Sequence, residues 1–160
     1  MILSKYLNFL KKIILANIKH LKRPYKIFLV VTKSCGSRCS NCLIWQEKPS
    51  NELSISEFEL IATNLGPSLS WLNISGGEPT DRDNLIEIIK TFIQKCPNLL
   101  IINFTSNGLN HERLKKIAQV LSDSFSGIIG INISIVGIKK LAHFEIITMT
   151  CKPSLKLRMP

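Results

Sequence analysis

The first 26 residues contain no acid. Across the 160 residues there are 11 Asp and Glu against 21 Lys and Arg, a net charge of +10, and the excess sits at the ends. Residues 1–26 carry +7 and residues 139–160 carry +4, while residues 27–138 sum to −1. A near-neutral body with basic ends lacks the basic face expected of a nucleic-acid reader, so no specific nucleic acid is expected as a partner. Long apolar runs are also missing. "IILANI", residues 13–18, is too short to span a bilayer; Lys11 and Lys12 precede it, Lys19 follows, and no small-residue cleavage site comes after. The three histidines, His20, His111 and His143, stand in no ligand spacing. With no export signal, five cysteines, an odd number, point to a reducing cytosol and to metal or redox use of thiols. The expected location is cytoplasmic.

Apolar residues make up 45% and charged residues 20% of the chain, the balance of a folded domain. At this length about two-thirds of the unfolded surface can be buried. Residues 3–22 place Leu3, Leu7, Leu10, Ile14, Ile18 and Leu21 at three- and four-residue steps with lysines on the other side, which predicts an amphipathic helix stopped by Pro24. Such a helix is expected to pack on the body or on a partner, with peripheral contact to an anionic membrane surface as the alternative.

Beyond Pro24, short apolar runs alternate with helical periods. "KIFLVVT", "SWLNIS", "LLIINFT" and "GIIGINISI" read as strands, the first apolar enough to be covered on both faces. "SISEFELIATNL", with Ser54 and Glu57 spaced as a capping box, "NLIEIIKTFIQKC", begun by Asp81 or Asp83, and "HERLKKIAQVL" read as helices. This alternation predicts an α/β fold with a parallel sheet and right-handed crossovers. Three regions follow: a basic helix over 1–24, a core over 25–138 and an irregular tail over 139–160.

Ligands of parallel α/β sheets sit at the carboxyl ends of the strands, and four unusual stretches fall there. The first is "CGSRCSNC", with Cys35, Cys39 and Cys42 spaced C-x3-C-x2-C. Structural zinc takes four ligands, usually as two pairs, and no second pair is present. A 4Fe-4S cluster held by three thiolates keeps one iron open for a small molecule. Cys96, at the end of the second core helix, is expected at the opposite rim, and both it and Cys151 read as free thiols. The second stretch is "SGGEPT": Gly76 and Gly77 allow a ligand close to the backbone, Glu78 offers a carboxylate for an ammonium group, and Pro79 stiffens the turn. "TSNG" and "NISIVG" end the third and fourth strands, and Trp45 and Trp71 read as packing residues flanking this rim.

These residues resemble the radical S-adenosylmethionine (radical SAM) enzymes, whose signature is a C-x3-C-x2-C loop after the first strand and a GGEP motif after the second; "CGSRCSNC" and Gly76 to Pro79 match both. The resemblance covers roughly residues 25–138. It implies a partial (β/α)6 TIM-like barrel with a 4Fe-4S cluster on Cys35, Cys39 and Cys42. It further implies S-adenosylmethionine bound at the open iron and cleaved reductively to a 5′-deoxyadenosyl radical, which takes hydrogen from an unknown substrate. An electron donor such as flavodoxin or ferredoxin is implied as partner. Gly76, Gly77, Glu78 and Pro79 would lie near the methionine moiety, Ser134 at the ribose and Asn107 at the pocket rim. Asn41 stands where relatives often have an aromatic residue, and Val136 where many have aspartate. Six strands need two more units of about 30 residues each, so the chain reads as truncated after its fourth strand, or completed by another chain, with that strand left as an open edge.

Overall fold

The computed structural model describes residues 2–47 and 50–134 and, as backbone, residues 145–149. Four strands, β1 (Lys26–Val30), β2 (Trp71–Ser75), β3 (Ile101–Ser106) and β4 (Ile128–Ile133), lie side by side in chain order and run parallel. Helices α2 (Ile55–Leu65), α3 (Leu85–Lys95) and α4 (His111–Ser124) cross from each strand to the next. Strand order that follows chain order, without reversal, is the winding of a β/α barrel rather than of a doubly wound sheet.

Period-two alternation decides which face is covered. Leu29, Leu72, Ile74, Ile102, Phe104, Ile129 and Ile131 form one face, buried beneath Phe58 and Ala62 of α2, Leu85, Ile88, Ile89 and Phe92 of α3, and Ile117 and Leu121 of α4. The other face is open. Phe28 and Val30 on it are 70% and 56% exposed, so β1 is covered on one side only, contrary to the reading of its apolar run. The run is apolar throughout, yet all the helices that follow it pack on the same face.

Local signals begin the helices. Ser54 and Glu57 form the expected capping box, with Glu57 N donating to Ser54 Oγ and Ser54 N to Glu57 Oε2. Asn84, not Asp81 or Asp83, holds the N-cap position of α3, without a capping side-chain hydrogen bond, because Pro79–Asp81 is taken up in a 3-10 turn that delays the helix. Asn110 begins α4, its Oδ1 accepting from Arg113 N at 3.2 Å.

Helix α1 (Ile2–Ile18) reverses the expectation for its apolar stripe. It lies across the amino-terminal ends of the strands and is held there by its lysines. Lys5 Nζ donates to Leu99 O at 3.2 Å, and Lys12 Nζ to Pro67 O, Ser68 O and Ser70 Oγ at 2.8–2.9 Å. The loops entering β2 and β3 present carbonyls that need donors, and an ammonium group supplies three. Phe9 adds edge contacts to Tyr25 and Trp71. Trp71 is therefore at the end opposite the cysteine rim, since it opens β2; Lys26 Nζ sits 3.7 Å from its ring centroid.

A fifth strand, β5 (Glu145–Met149), pairs antiparallel with β4, Ile133 opposite Glu145 and Ile129 opposite Met149. It lies in the stretch read as irregular, so β4 is not the open edge expected of it. Val136, His143 and Cys151 lie outside the described residues.

Candidate metal and cofactor site

The pairing of β1 with β2 continues past both strand ends and builds the site. Val31 N donates to Ser75 O at 3.0 Å, Gly77 N to Thr32 O at 2.8 Å and Glu78 N to Ser34 O at 2.7 Å. The stem of the cysteine loop thus lies against the glycine turn. Gly76 has φ +144°, and a Cβ there would sit 2.3 Å from Thr32 O; one on Gly77 would sit 2.1 Å from Ser34 O. The close neighbour that excludes side chains at these positions is the chain leading to Cys35, where the sequence suggested a ligand.

Glu78 is 2% exposed and serves the same assembly. Its Oε1 accepts from Thr80 N, Thr80 Oγ1 and Ser106 Oγ at 2.7–3.1 Å, and its Oε2 from Asn107 N at 2.6 Å. Both oxygens therefore already have donors within the protein, a buried carboxylate stabilised by four hydrogen bonds, where the sequence set it against a ligand's ammonium group. Pro79 opens the adjoining 3-10 turn and is buried. Asn107 spans three loops: its N–H goes to Glu78, its Oδ1 accepts from Leu109 N at 3.0 Å, and its Nδ2 donates to Ser37 Oγ at 2.9 Å. Ser134 follows β4 on this rim, half-buried, its N–H donating to Ser106 O at 2.8 Å.

A second network was not visible in the sequence. Glu52 accepts from Thr32 Oγ1, from Lys33 N at 3.2 Å and from Arg82, whose Nε and Nη2 also reach Asn84 Oδ1 at 2.7 Å and Leu53 O at 2.5 Å. Burial works against ionisation of Glu52, but the hydrogen bonds from Thr32, Lys33 and Arg82, with the charge of Arg82, outweigh it and hold the carboxyl below its usual range. Thr32 Oγ1 in turn accepts from Ser34 N at 3.0 Å, so the network braces the stem of the cysteine loop. Glu52 and Arg82 are 30 residues apart and belong to no motif, which leaves nothing for sequence reasoning to find.

Cys35 and Cys39 are half-buried and Cys42 is exposed, all as free thiols. Burial pushes the Cys35 thiol up; the Ser37 N–H opposes this, and the nearby charges of Glu78, Asp81 and Cys39 add to it. Burial, then Glu78, likewise raise Asp81 against the Gly36 N–H and Arg113. Trp45 Nε1 and Cys42 N both donate to Cys39 O, at 3.3 and 3.2 Å. Among the described residues no three metal-ligating side chains converge, so the thiols are brought onto one loop but not into a finished cage. Within residues 35–42 one backbone–backbone hydrogen bond forms, Cys42 N to Cys39 O, and side chains tie the loop at Gly36, Ser37 and Cys39, so the thiols are tethered to one loop that can close on a group drawing the thiolates together. Three soft thiolates at this spacing suit iron and sulfide. Cys96 is far from them, capping α3, 1% exposed, with Sγ 3.5 Å from Ala62 O and its pKa pushed up to about 11 by burial, against the influence of Lys12.

The family model described as a 4Fe-4S single cluster domain matches residues 26–129, the stretch that holds β1 through most of β4. Among curated proteins, the chain is 32% identical over 114 residues to a probable GTP 3′,8-cyclase of Thermococcus kodakarensis, covering 68% of this chain and 34% of that one. It is 32% identical over 121 residues to the GTP 3′,8-cyclase of Pasteurella multocida, covering 71% and 34%. The chain thus spans about a third of the length of these relatives. A solved structure of BtrN in complex with AdoMet and 2-DOIA aligns with a TM-score of 0.49 at 18% identity, over 63% of this chain and 44% of that one.

Proposed function

Because the chain belongs to the radical SAM superfamily, through the 4Fe-4S single cluster domain that covers residues 26–129, we propose that it cleaves S-adenosylmethionine reductively and uses the product radical on a substrate. The cofactors of this family are a 4Fe-4S cluster and S-adenosylmethionine. When bound, they supply a 5′-deoxyadenosyl radical that abstracts hydrogen. Cys35, Cys39 and Cys42 would hold the cluster, which would supply the site and the electron for S-adenosylmethionine cleavage. The backbone of Gly76, Gly77, Glu78 and Pro79 borders the methionine moiety, Ser134 meets the ribose, and Asn107 lies at the rim. The exposed side of the loop, at Cys42, is where flavodoxin or ferredoxin delivers the electron. Guanosine triphosphate is the first substrate to test, being what the relatives' names specify.

The observation that carries this reading is the backbone ladder from Gly77 and Glu78 to Thr32 and Ser34, which joins the two motifs into one unit. Anaerobic reconstitution with iron and sulfide, followed by electron paramagnetic resonance with and without S-adenosylmethionine and assay of 5′-deoxyadenosine, tests it. A cluster signal that changes on adding the ligand, together with 5′-deoxyadenosine, is expected; a colourless protein that takes up zinc instead would overturn it. The internal satisfaction of both Glu78 oxygens, which engages that carboxylate within the protein rather than with a ligand's ammonium group, favours a second reading, a cluster-holding module without turnover. A cluster that forms but yields no 5′-deoxyadenosine selects that reading.

A further inference from the structure

Helix α1 meets the body through Lys5, Lys12 and Phe9 and leaves a separate apolar stripe uncovered. Leu3, Leu7, Leu10, Ile14 and Ile18 are between 53% and 75% exposed, and Tyr6 borders them at 38%. The stripe runs about 22 Å, at 1.5 Å per residue from Leu3 to Ile18, and it lies outside residues 26–129, which the family model covers. An exposed apolar face of this length calls for an occupant.

Charge selects among the occupants. The segment 1–26 has seven Lys and Arg and no acid. Lys11, four residues after Leu7 and three before Ile14, stands exposed at the edge of the stripe, and Lys19 and Lys22 follow its end, also exposed, while Arg23 donates to Asn64 O at 2.7 Å on the body. A second copy of the helix laid on the first would bring these cations together with no counter-charge, which disfavours self-pairing. An anionic lipid surface accepts both the apolar stripe and its basic border, and a tyrosine at the margin suits the headgroup region. No helix among the described residues is long and apolar enough to cross a membrane, so the contact is in-plane.

We propose that α1 docks the protein on anionic bilayers. Because α1 covers the amino-terminal ends of β2 and β3 through Lys5 and Lys12, docking there turns the opposite rim, with Cys35, Cys39 and Cys42, toward the aqueous side. The lysines that hold the body are distinct from those that border the stripe. The helix is thus fixed to the domain and free to bind at the same time.

Co-sedimentation of the full chain with vesicles of phosphatidylcholine alone and of phosphatidylcholine mixed with phosphatidylglycerol tests this without reference to cluster chemistry. Binding to the mixed vesicles about tenfold tighter than to neutral ones, weakened by salt, is expected. The variant Leu7→Asp with Leu10→Asp and Ile14→Asp changes only exposed positions; it should keep the wild-type urea midpoint and lose vesicle binding. Should it not fold, Lys11→Glu with Lys19→Glu provides a second test, with the preference for anionic vesicles reduced severalfold. Absence of binding to the mixed vesicles, or binding unchanged in these variants, would overturn the proposal. So would a vesicle-free dimer in analytical ultracentrifugation that Leu10→Asp dissociates, since a second copy would then cover the stripe.

Discussion

Asn107 donates from Nδ2 to the hydroxyl of Ser37 at 2.9 Å, tying the loop after β3 to the middle of the cysteine loop across 70 residues of chain. Ser37 lies between Cys35 and Cys39, so this bond acts on the segment proposed to close around a cluster. Asn107 is thereby a positioning residue, anchored through its own N–H to Glu78. Ser37→Ala should cost about 1 kcal/mol and accelerate iron loss to a chelator about fivefold. A double-mutant cycle with Asn107→Ala should show coupling of about 0.5–1.5 kcal/mol in that rate. Strict additivity would mean that the bond does not constrain the loop.

The glycines make a sharper contrast. A Cβ on Gly77 would lie 2.1 Å from Ser34 O, and on Gly76 2.3 Å from Thr32 O with φ +144°, whereas a Cβ on Gly36 meets nothing within 4 Å. Gly76→Ala and Gly77→Ala must push the stem of the cysteine loop off the glycine turn, for a loss of about 2–4 kcal/mol, while Gly36→Ala should stay within about 0.5 kcal/mol. Urea denaturation of the three iron-free variants separates the cases. Equal midpoints for Gly36→Ala and Gly77→Ala would show that the backbone ladder adds nothing.

Glu52 predicts a pH dependence. Its carboxyl is held below the ordinary glutamate range in the folded chain, burial being outweighed by the hydrogen bonds from Thr32, Lys33 and Arg82, so its contribution is fully present above the value of the unfolded chain and is lost as pH falls through the lower folded one. Glu52→Gln cannot titrate, and its stability should fall less steeply than that of the wild type on acidification below about pH 4.5. Parallel curves of urea midpoint against pH for the two proteins would remove Glu52 from the brace.

Strands and helices were legible because their signals are local. Ser54 and Glu57 announce α2 three residues apart, and the apolar runs of β2 to β4 lie within two residues of their observed limits. The two motifs could be read, but the reason for their glycines could not: the close neighbour of Gly77 is Ser34, 43 positions earlier, and pairing at that distance leaves no pattern in sequence. The same holds for Glu52 with Arg82. Helix α1 misled for a different reason. Its periodicity shows an apolar face and a basic face but not which of them meets the body, and carbonyls of the loops entering β2 and β3 were satisfied by lysine.

Cys96 differs from the three proposed ligands. It is 1% exposed, its Sγ is directed at Ala62 O, and its pKa is pushed up to about 11, while Cys35, Cys39 and Cys42 share an accessible loop. The thiolate is the reactive form, and a pKa near 11 leaves about one part in ten thousand ionised at pH 7. Iodoacetamide should therefore modify the three loop cysteines in the native, metal-free protein and spare Cys96 until denaturant is added, as peptide mass mapping would show. Cluster assembly should follow the same division: Cys39→Ala abolishes iron binding, and Cys96→Ala leaves the iron-to-protein ratio unchanged while lowering stability by about 1 kcal/mol, the small buried thiol being lost from the core. Equal iron loss in both variants would place Cys96 among the ligands, and the opposite-rim position of α3's end could not then be correct.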